Sequence, residues 1–306
     1  MKKMKKIIVI STVLMLASVF VFATGFRDVA GSYIDILQDD KPIVRYMYAF
    51  DKSNNDRKHE TFKVFHHVMN EEGTSPITKG PRGLFTHHRG FYIGWFKLQH
   101  GGTEHDLWHM RKEEAQVHRD ILVKESNAER SILSTRIDWL GTDGETVVLE
   151  EIRTITVYHD DPNAHTVIDF QSELKAVNGD VELRGDSEHA GMHYRAEQDV
   201  AENKSATYIF HAENINPRED ADLPWVTMTY QMLDGRHYSV QHMNHHENPK
   251  DTYYSAYRDY GRFGAFFEET IKDGNSLTVN YRMRITPGEA PSREEMDAQY
   301  KIYVDL

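Results

Sequence analysis

The chain contains no cysteine. That excludes disulfide staples, thiolate metal sites, cysteine nucleophiles and every C-x-x-C motif. There is no H-E-x-x-H segment either, so a helical zinc-hydrolase constellation is absent. Positive charge is in short supply. Thirty-six Lys and Arg face 48 Asp and Glu, for a formal charge of −12, or about −16 once the four N-terminal lysines are set aside. Such a field repels nucleic acid and other polyanions, so nucleic acid is excluded as a partner. An acidic ligand would need a locally basic pocket.

Long apolar runs are also lacking, with one exception. Lys2, Lys3, Lys5 and Lys6 precede an apolar stretch from Ile7 to Phe22, and Val21 and Ala23 fit the small-residue positions of a cleavage site. This is the layout of a signal peptide over residues 1–23, cut near Ala23 or Thr24. The run is shorter than the roughly 20 residues of a spanning helix, which disfavours an uncleaved anchor. With no cysteine after it, no lipid-anchored form is expected. The expectation is therefore export to the periplasm, with the cell surface or medium left open, and no stable membrane insertion after cleavage. Residues 24–306 are read as one catalytic domain, long enough to bury a large core without staples.

What is present is strand pattern. In Ser276 to Ile285, Leu277, Val279, Tyr281, Met283 and Ile285 alternate with polar residues, the period of a half-buried strand. Similar segments recur at Ile43–Phe50, Phe62–Met69, Phe91–Leu98, Gln116–Lys124, Ile132–Leu140, Thr146–Tyr158, His165–Val177, Ala206–Glu213, Trp225–Met232 and His237–Met243. Turn signals separate them, Asp234-Gly235 being a candidate for a tight hairpin. Long amphipathic helical patterns are nearly absent. Ser292 and Glu295 have capping-box spacing, which predicts a short helix before a last strand at Lys301–Leu306. Without a helix between successive strands a parallel α/β fold is disfavoured. The fold class expected is all-β, a large antiparallel two-sheet β-sandwich with a short C-terminal helix.

The other abundance is imidazole and phenol, with 18 His and 16 Tyr. Four polar blocks interrupt the strands. The first, Gly83 to Trp95, holds His87, His88 and Arg89 between glycines. Adjacent residues on a strand face opposite ways, so His87 and His88 are not expected to share one role. The second is Glu104-His105-Asp106-Leu107-Trp108-His109, which reads equally as a surface loop over a buried Trp. In the third, Gly185 to Arg195, His189, His193 and Arg195 share parity if the segment is extended. In the fourth, His237 to Phe263, Tyr257, Tyr260 and Arg262 suit the apolar face and hydroxyl edge of a sugar, or form a core stripe with solvated arginines. No cofactor is required by these patterns. A divalent metal held by histidines across strands is left open.

Taken together, His87-His88-Arg89-Gly90, Trp108-His109, Glu188-His189-Ala-Gly191-Met-His-Tyr-Arg195 and Tyr257-Arg-Asp-Tyr260-Gly261 resemble the blocks of the secreted "methane-oxygenase PmoA-like" family, in the same order and over nearly all of residues 24–306. The family label misleads here, because a methane monooxygenase subunit spans the membrane several times and this chain has no such spans. The resemblance implies a large β-sandwich. It also implies carbohydrate metabolism, in particular dehydration of oligosaccharides ending in a uronic acid, as in degradation of ulvan, a sulfated algal polysaccharide. The resemblance transfers no catalytic residues.

Roles follow from chemistry instead. Removing the C5 proton of a terminal uronate and expelling its 4-hydroxyl requires a neutralised carboxylate, a base and an acid. Arg89 and Arg195 are the candidates for the carboxylate, since a guanidinium forks onto it. Loss of Arg89 is thus expected to cut turnover far more than folding. His88 or His189 is the expected base, because an imidazole titrates near working pH. Tyr194 or Tyr260 is the expected acid, or shares the base role. His109 would orient a partner, and His87, Trp108, Tyr257, Tyr260 and Arg262 would contact sugar. The rivals are a glycosidase using carboxylates such as Glu188, Asp186, Glu104 or Asp106, a non-catalytic sugar-binding protein, and a metal-dependent oxidase.

Overall fold

The structure, a computed structural model, describes residues 24–305. The expected signal peptide, 1–23, and Leu306 lie outside the described residues.

The chain begins with β1 (Thr24–Val29), β2 (Tyr33–Gln38), β3 (Lys41–Met47), α1 (Asn55–Thr61), β4 (Phe65–Val68), β5 (Phe91–Trp95), β6 (Lys97–His100) and β7 (Thr103–His105). Four longer pieces follow, β8 (Ala115–Ser126), β9 (Arg130–Leu140), β10 (Val147–Tyr158) and β11 (Thr166–Ala176), then β12 (Val181–Arg184), β13 (Ala190–Arg195) and α2 (Gln198–Asn203). The last third contains β14 (Thr207–Phe210), β15 (Trp225–Gln231), β16 (His237–Asn244), β17 (Tyr253–Tyr254), β18 (Arg262–Phe266), β19 (Glu269–Ile271), β20 (Ser276–Pro287) and α3 (Arg293–Val304).

These strands form three antiparallel sheets, so the fold is all-β. One has the order β1-β2-β3-β4-β5-β13-β18-β17, and the second β14-β15-β16-β20-β11-β10-β9-β8. A small third sheet, β19-β12-β6-β7, stands beside the two large ones. The large sheets share one apolar core, drawing Phe91, Ile93, Trp95, Met192 and Phe263 from the first and Ile137, Ile155, Phe170, Val279 and Met283 from the second. Each large apolar side chain buried this way is worth roughly 1.5–3 kcal/mol. Period two sets the register: along β11, Ile168, Phe170, Ser172 and Leu174 are buried while Gln171 and Lys175 are exposed. A polar knot crosses this core. The Glu151 carboxylate accepts from Arg153 Nε and Nη2, Trp139 Nε1 and Ser172 Oγ, all at 2.8 Å, which satisfies a charge that would otherwise be costly to bury.

The hairpin expected at Asp234-Gly235 joins β15 to β16, with Gly235 at φ +89°. Ser292 caps α3, and Glu295 closes the capping box. The strand expected at Lys301–Leu306 is not formed, because α3 runs on to Val304. No Gly or Pro interrupts that segment, and Met296 and Tyr303 pack onto Trp225 and Met243 of the second sheet. Two further short helices, α1 and α2, carry no amphipathic signal long enough to read in advance. Asn54 caps α1 by accepting from the Arg57 N–H at 2.9 Å.

Candidate active site

The site lies on the outer face of the first sheet, over β5, β13 and β18. Along these strands Phe91, Ile93, Trp95, Ala190, Met192, Tyr194, Phe263 and Ala265 point into the core. The residues between them, Tyr92, His193, Arg195 and Arg262, point the other way. They are nevertheless buried, because loops 79–90, 106–112, 185–189 and 255–261 fold over this face. Gly94 makes room for one of them. A Cβ there would stand 2.5 Å from the Leu107 carbonyl oxygen, so glycine lets the loop carrying His109 lie directly on β5.

Buried cations brace the loops through backbone carbonyls. Lys63 Nζ donates to His87 O at 3.1 Å and to Trp108 O. Lys79 Nζ donates to Gly80 O at 3.1 Å and to Phe85 O and His88 O at 3.4 Å. Arg89 donates to Thr86 O at 3.2 Å, to Glu60 O at 2.8 Å and to His59 O. Arg195 Nη1 donates to Ala196 O at 3.1 Å, to Gly261 O at 3.3 Å and to Tyr260 O. Arg262 donates to Glu188 O and, at 3.2 Å, to Tyr260 Oη. Burial is the main force pushing Lys79 down to about 7, Arg89 to about 9 and Arg195 to about 10. The two arginines therefore stay charged at neutral pH. Neither they nor the two lysines form an ion pair among the described residues, which makes the floor of the site electropositive.

Above this floor opens a cleft of about 720 Å³. His87, His88, His109 and His189 all line it, together with Asn55, Lys58 and His59 of α1, Phe62, Phe85, Met110, Arg111, Lys112, Glu188, Arg258 and Tyr260. The four imidazoles form a chain. Ring centroids are 4.3 Å apart for His87 and His88, 4.5 Å for His87 and His109, and 5.2 Å for His109 and His189. Tyr260 lies parallel to His88, and Phe85 packs 5.2 Å from Tyr260. His87 and His88 both face the cleft because they sit in a loop, not on a strand where neighbours would diverge.

Two of the imidazoles are held in the same way. Asp106 accepts the His109 backbone N–H at 2.8 Å and its Nδ1–H at 3.0 Å. Asp186 accepts the His189 backbone N–H and Nδ1–H, both at 3.0 Å. In each case D-x-x-H spacing closes a turn and leaves Nε2 as the ring's free nitrogen. Burial alone would raise the Asp106 and Asp186 carboxyls, but hydrogen bonds from their histidines and nearby backbone N–H groups outweigh it and hold both below the ordinary carboxylate range. Burial, then the charge of Lys63 and neighbouring imidazoles, holds His87 down to about 2, so it is neutral. Both nitrogens of His88 are buried without a protein partner.

The one carboxylate in the lining is tied up. Glu188 accepts from Tyr257 Oη at 2.9 Å and from Arg258 Nη2 at 2.7 and 2.8 Å. Tyr257 thus positions Glu188, with its own ring under the Arg218 guanidinium at 3.7 Å. Among the described residues no group of three or more His, Asp or Glu side chains stands ready to hold a metal ion.

The remaining expected residues lie elsewhere. Arg89 has all of its hydrogen bonds on backbone carbonyls and does not line the cleft, so it is a brace and not a carboxylate fork. Arg195 is likewise buried beneath Tyr260, though its Nε and Nη2 have no partner. Tyr194 has the opposite parity to His193 and Arg195. It lies in the core, hydrogen-bonded to Tyr230 Oη at 2.9 Å. Trp108 and His193 support the floor, with ring centroids 4.7 Å apart, and Arg262 holds Glu188 and Tyr260 in place. Lys58, His59, Phe85, Arg111 and Lys112 also line the cleft, and no role was expected of them. The repeated D-x-x-H spacing at 106–109 and 186–189 was a signal that could have paired the two histidine blocks.

A family profile described as a family of unknown function, DUF6807, matches residues 33–301. No curated protein matches the sequence. Among solved structures, a heparan sulfate lyase mutant from Pedobacter heparinus is similar with a TM-score of 0.46 and 8% identity, over 87% of this chain and 37% of that one. The chain thus spans little more than a third of that enzyme. A putative mutarotase from Salmonella typhimurium is similar with a TM-score of 0.36 and 8% identity, over 87% of this chain and 94% of that one. Likeness at this level assigns no activity.

Proposed function

The chain belongs to the DUF6807 family, whose description names no activity, and from the chemistry of its cleft we propose that it is a carbohydrate-active dehydratase. It eliminates water from the non-reducing-end uronic acid of oligosaccharides derived from an acidic polysaccharide such as ulvan, leaving a 4,5-unsaturated uronate. The signal peptide read at residues 1–23 would deliver it to the periplasm, where such fragments are processed.

One observation carries the reading. Two carboxylate-held imidazoles, His109 and His189, face a cleft whose single lining carboxylate is already bound by an arginine and a tyrosine. A glycosidase needs two carboxyl groups flanking the scissile bond, and the lining offers only Glu188. Elimination needs a base and an acid, roles that a pair of positioned imidazoles can divide between them. It also needs the uronate charge neutralised, since otherwise the C5 proton is too weakly acidic. Lys112 lines the cleft with no ion pair among the described residues, and Lys58, Arg111 and Arg258 stand beside it paired with Glu113, Asp106 and Glu188; over the unpaired buried arginines this favours an anion here despite the negative charge of the whole chain. Phe85 and Tyr260 present apolar ring surface of the kind that sugar rings pack against.

The test uses purified protein and uronate-ended oligosaccharides, followed by ultraviolet absorbance and mass spectrometry. Elimination gives a conjugated chromophore and a product lighter by one water. Shorter sugars without the chromophore would identify a hydrolase, and binding without any conversion would identify a sugar-binding protein.

A further inference from the structure

The contact between His109 and His189 limits which side of a sugar they can reach. We infer that the elimination is syn, so that the accepted uronates carry the C5 hydrogen and the C4 oxygen on the same face. The inference rests on the dehydratase reading.

The two ring centroids are 5.2 Å apart with the planes tilted by 37°. A pyranose held between two rings would need them about 7 Å apart or more, because each carbon–carbon contact takes roughly 3.5–4.0 Å. No sugar therefore passes between them. Both rings also set an edge or face against Phe96, at 6.3 and 5.5 Å, which keeps them on one wall. Asp106 and Asp186 occupy both Nδ1 atoms, so each ring can offer only Nε2. Two Nε2 atoms on one wall address one face of the substrate.

The step balances without a cofactor. One neutral imidazole takes the C5 hydrogen as a proton on Nε2. The electron pair of the C5–H bond becomes the second bond between C4 and C5, and the C4–O bond breaks. The departing hydroxyl takes the proton of the other ring, an imidazolium, and leaves as water. The two rings end with their protonation states exchanged, and one proton passed between the neighbours restores the start. In an epimer whose C5 hydrogen and C4 oxygen lie on opposite faces, one of the two transfers has neither His109 nor His189 within reach.

The experiment compares oligosaccharides ending in D-glucuronate, where the two groups are cis, with the same chains ending in the C5 epimer L-iduronate, where they are trans. Loss of one positioned proton-transfer group costs about 10²–10⁴ in rate, so glucuronate-ended chains should be dehydrated at least about a hundredfold faster. Deuterium at C5 of the glucuronate should slow that conversion. Equal or faster dehydration of the iduronate-ended chain would overturn syn elimination and leave the dehydratase reading standing. If neither chain loses water, the dehydratase reading fails and the stereochemical inference with it.

Discussion

Asp106 accepts both the backbone N–H and the Nδ1–H of His109, at 2.8 and 3.0 Å. One carboxylate thus closes the turn and fixes the tautomer, and Asp186 does the same for His189. Asp106→Asn or Asp186→Asn keeps the size of the side chain and an acceptor for the turn but removes the charge that stabilises an imidazolium. We expect kcat to fall by about 10²–10⁴ in each, the range for a disabled general acid or base. Thermal melting should move little, since a lost cap-like contact costs about 1 kcal/mol. Full turnover in both folded variants would remove the dyads from the mechanism.

Glu188 separates the two enzymatic readings. As a tether for Arg258 and Tyr257, its replacement in Glu188→Gln should lower turnover by less than about tenfold, the order of a partly exposed ion pair worth about 1 kcal/mol. A glycosidase using Glu188 as acid or nucleophile would lose about 10²–10⁴. Steady-state rates on one oligosaccharide decide between them.

Arg89 was expected to act on substrate, and its surroundings reverse that expectation. Its guanidinium joins the carbonyls of His59, Glu60 and Thr86, tying α1 to the His87 loop. Arg89→Ala would leave buried carbonyls without donors, each at about 1–3 kcal/mol. We expect a loss of at least about 3 kcal/mol in denaturant unfolding. A variant of unchanged stability and abolished turnover would restore the substrate role.

Acid should unfold the protein through its histidines. Burial is the chief cause that holds His66, His88 and His193 well below the ordinary imidazole value, His67 at about 4 and His242 at about 3. Below about pH 6.5 the unfolded chain binds a proton at each of these and the folded chain does not. Their contribution is therefore complete above about pH 6.5 and is lost as pH falls towards the folded values, at about 1.4 kcal/mol per pH unit for each group. Urea titrations at about pH 7.5 and about pH 5.5 should show a steep loss, and equal midpoints would contradict it.

Strands with one face in the core were legible, as Ser276–Ile285 became part of β20 and His165–Val177 became β11. The strands under the site were harder to read. In β13 and β18 the outward face carries His193, Arg195 and Arg262, which are buried by loops and not wetted, so the usual alternation of apolar with solvated residues does not mark them. The end of α3 was missed because a capping box marks a start, and nothing in Lys301–Leu306 marks a stop. At the candidate site, residue type picked out blocks that the fold brings together, since histidines on loops next to glycine line one cleft. It did not separate the roles of arginines, because a guanidinium that forks onto a carboxylate serves equally well on backbone carbonyls. Parity does place Tyr194. The alternation that groups His193 with Arg195 puts the tyrosine between them on the core side.

The cations that brace the loops have a consequence for how turnover ends. Lys63 feels the charge of Arg89, and Lys79 that of Arg195 and Arg89, so an anion settling above them eases that repulsion whatever else it carries. Dehydration removes a hydroxyl and leaves the carboxylate in place. The spent sugar therefore keeps the feature that draws the fresh one in, so accumulated product should compete with substrate for this cleft.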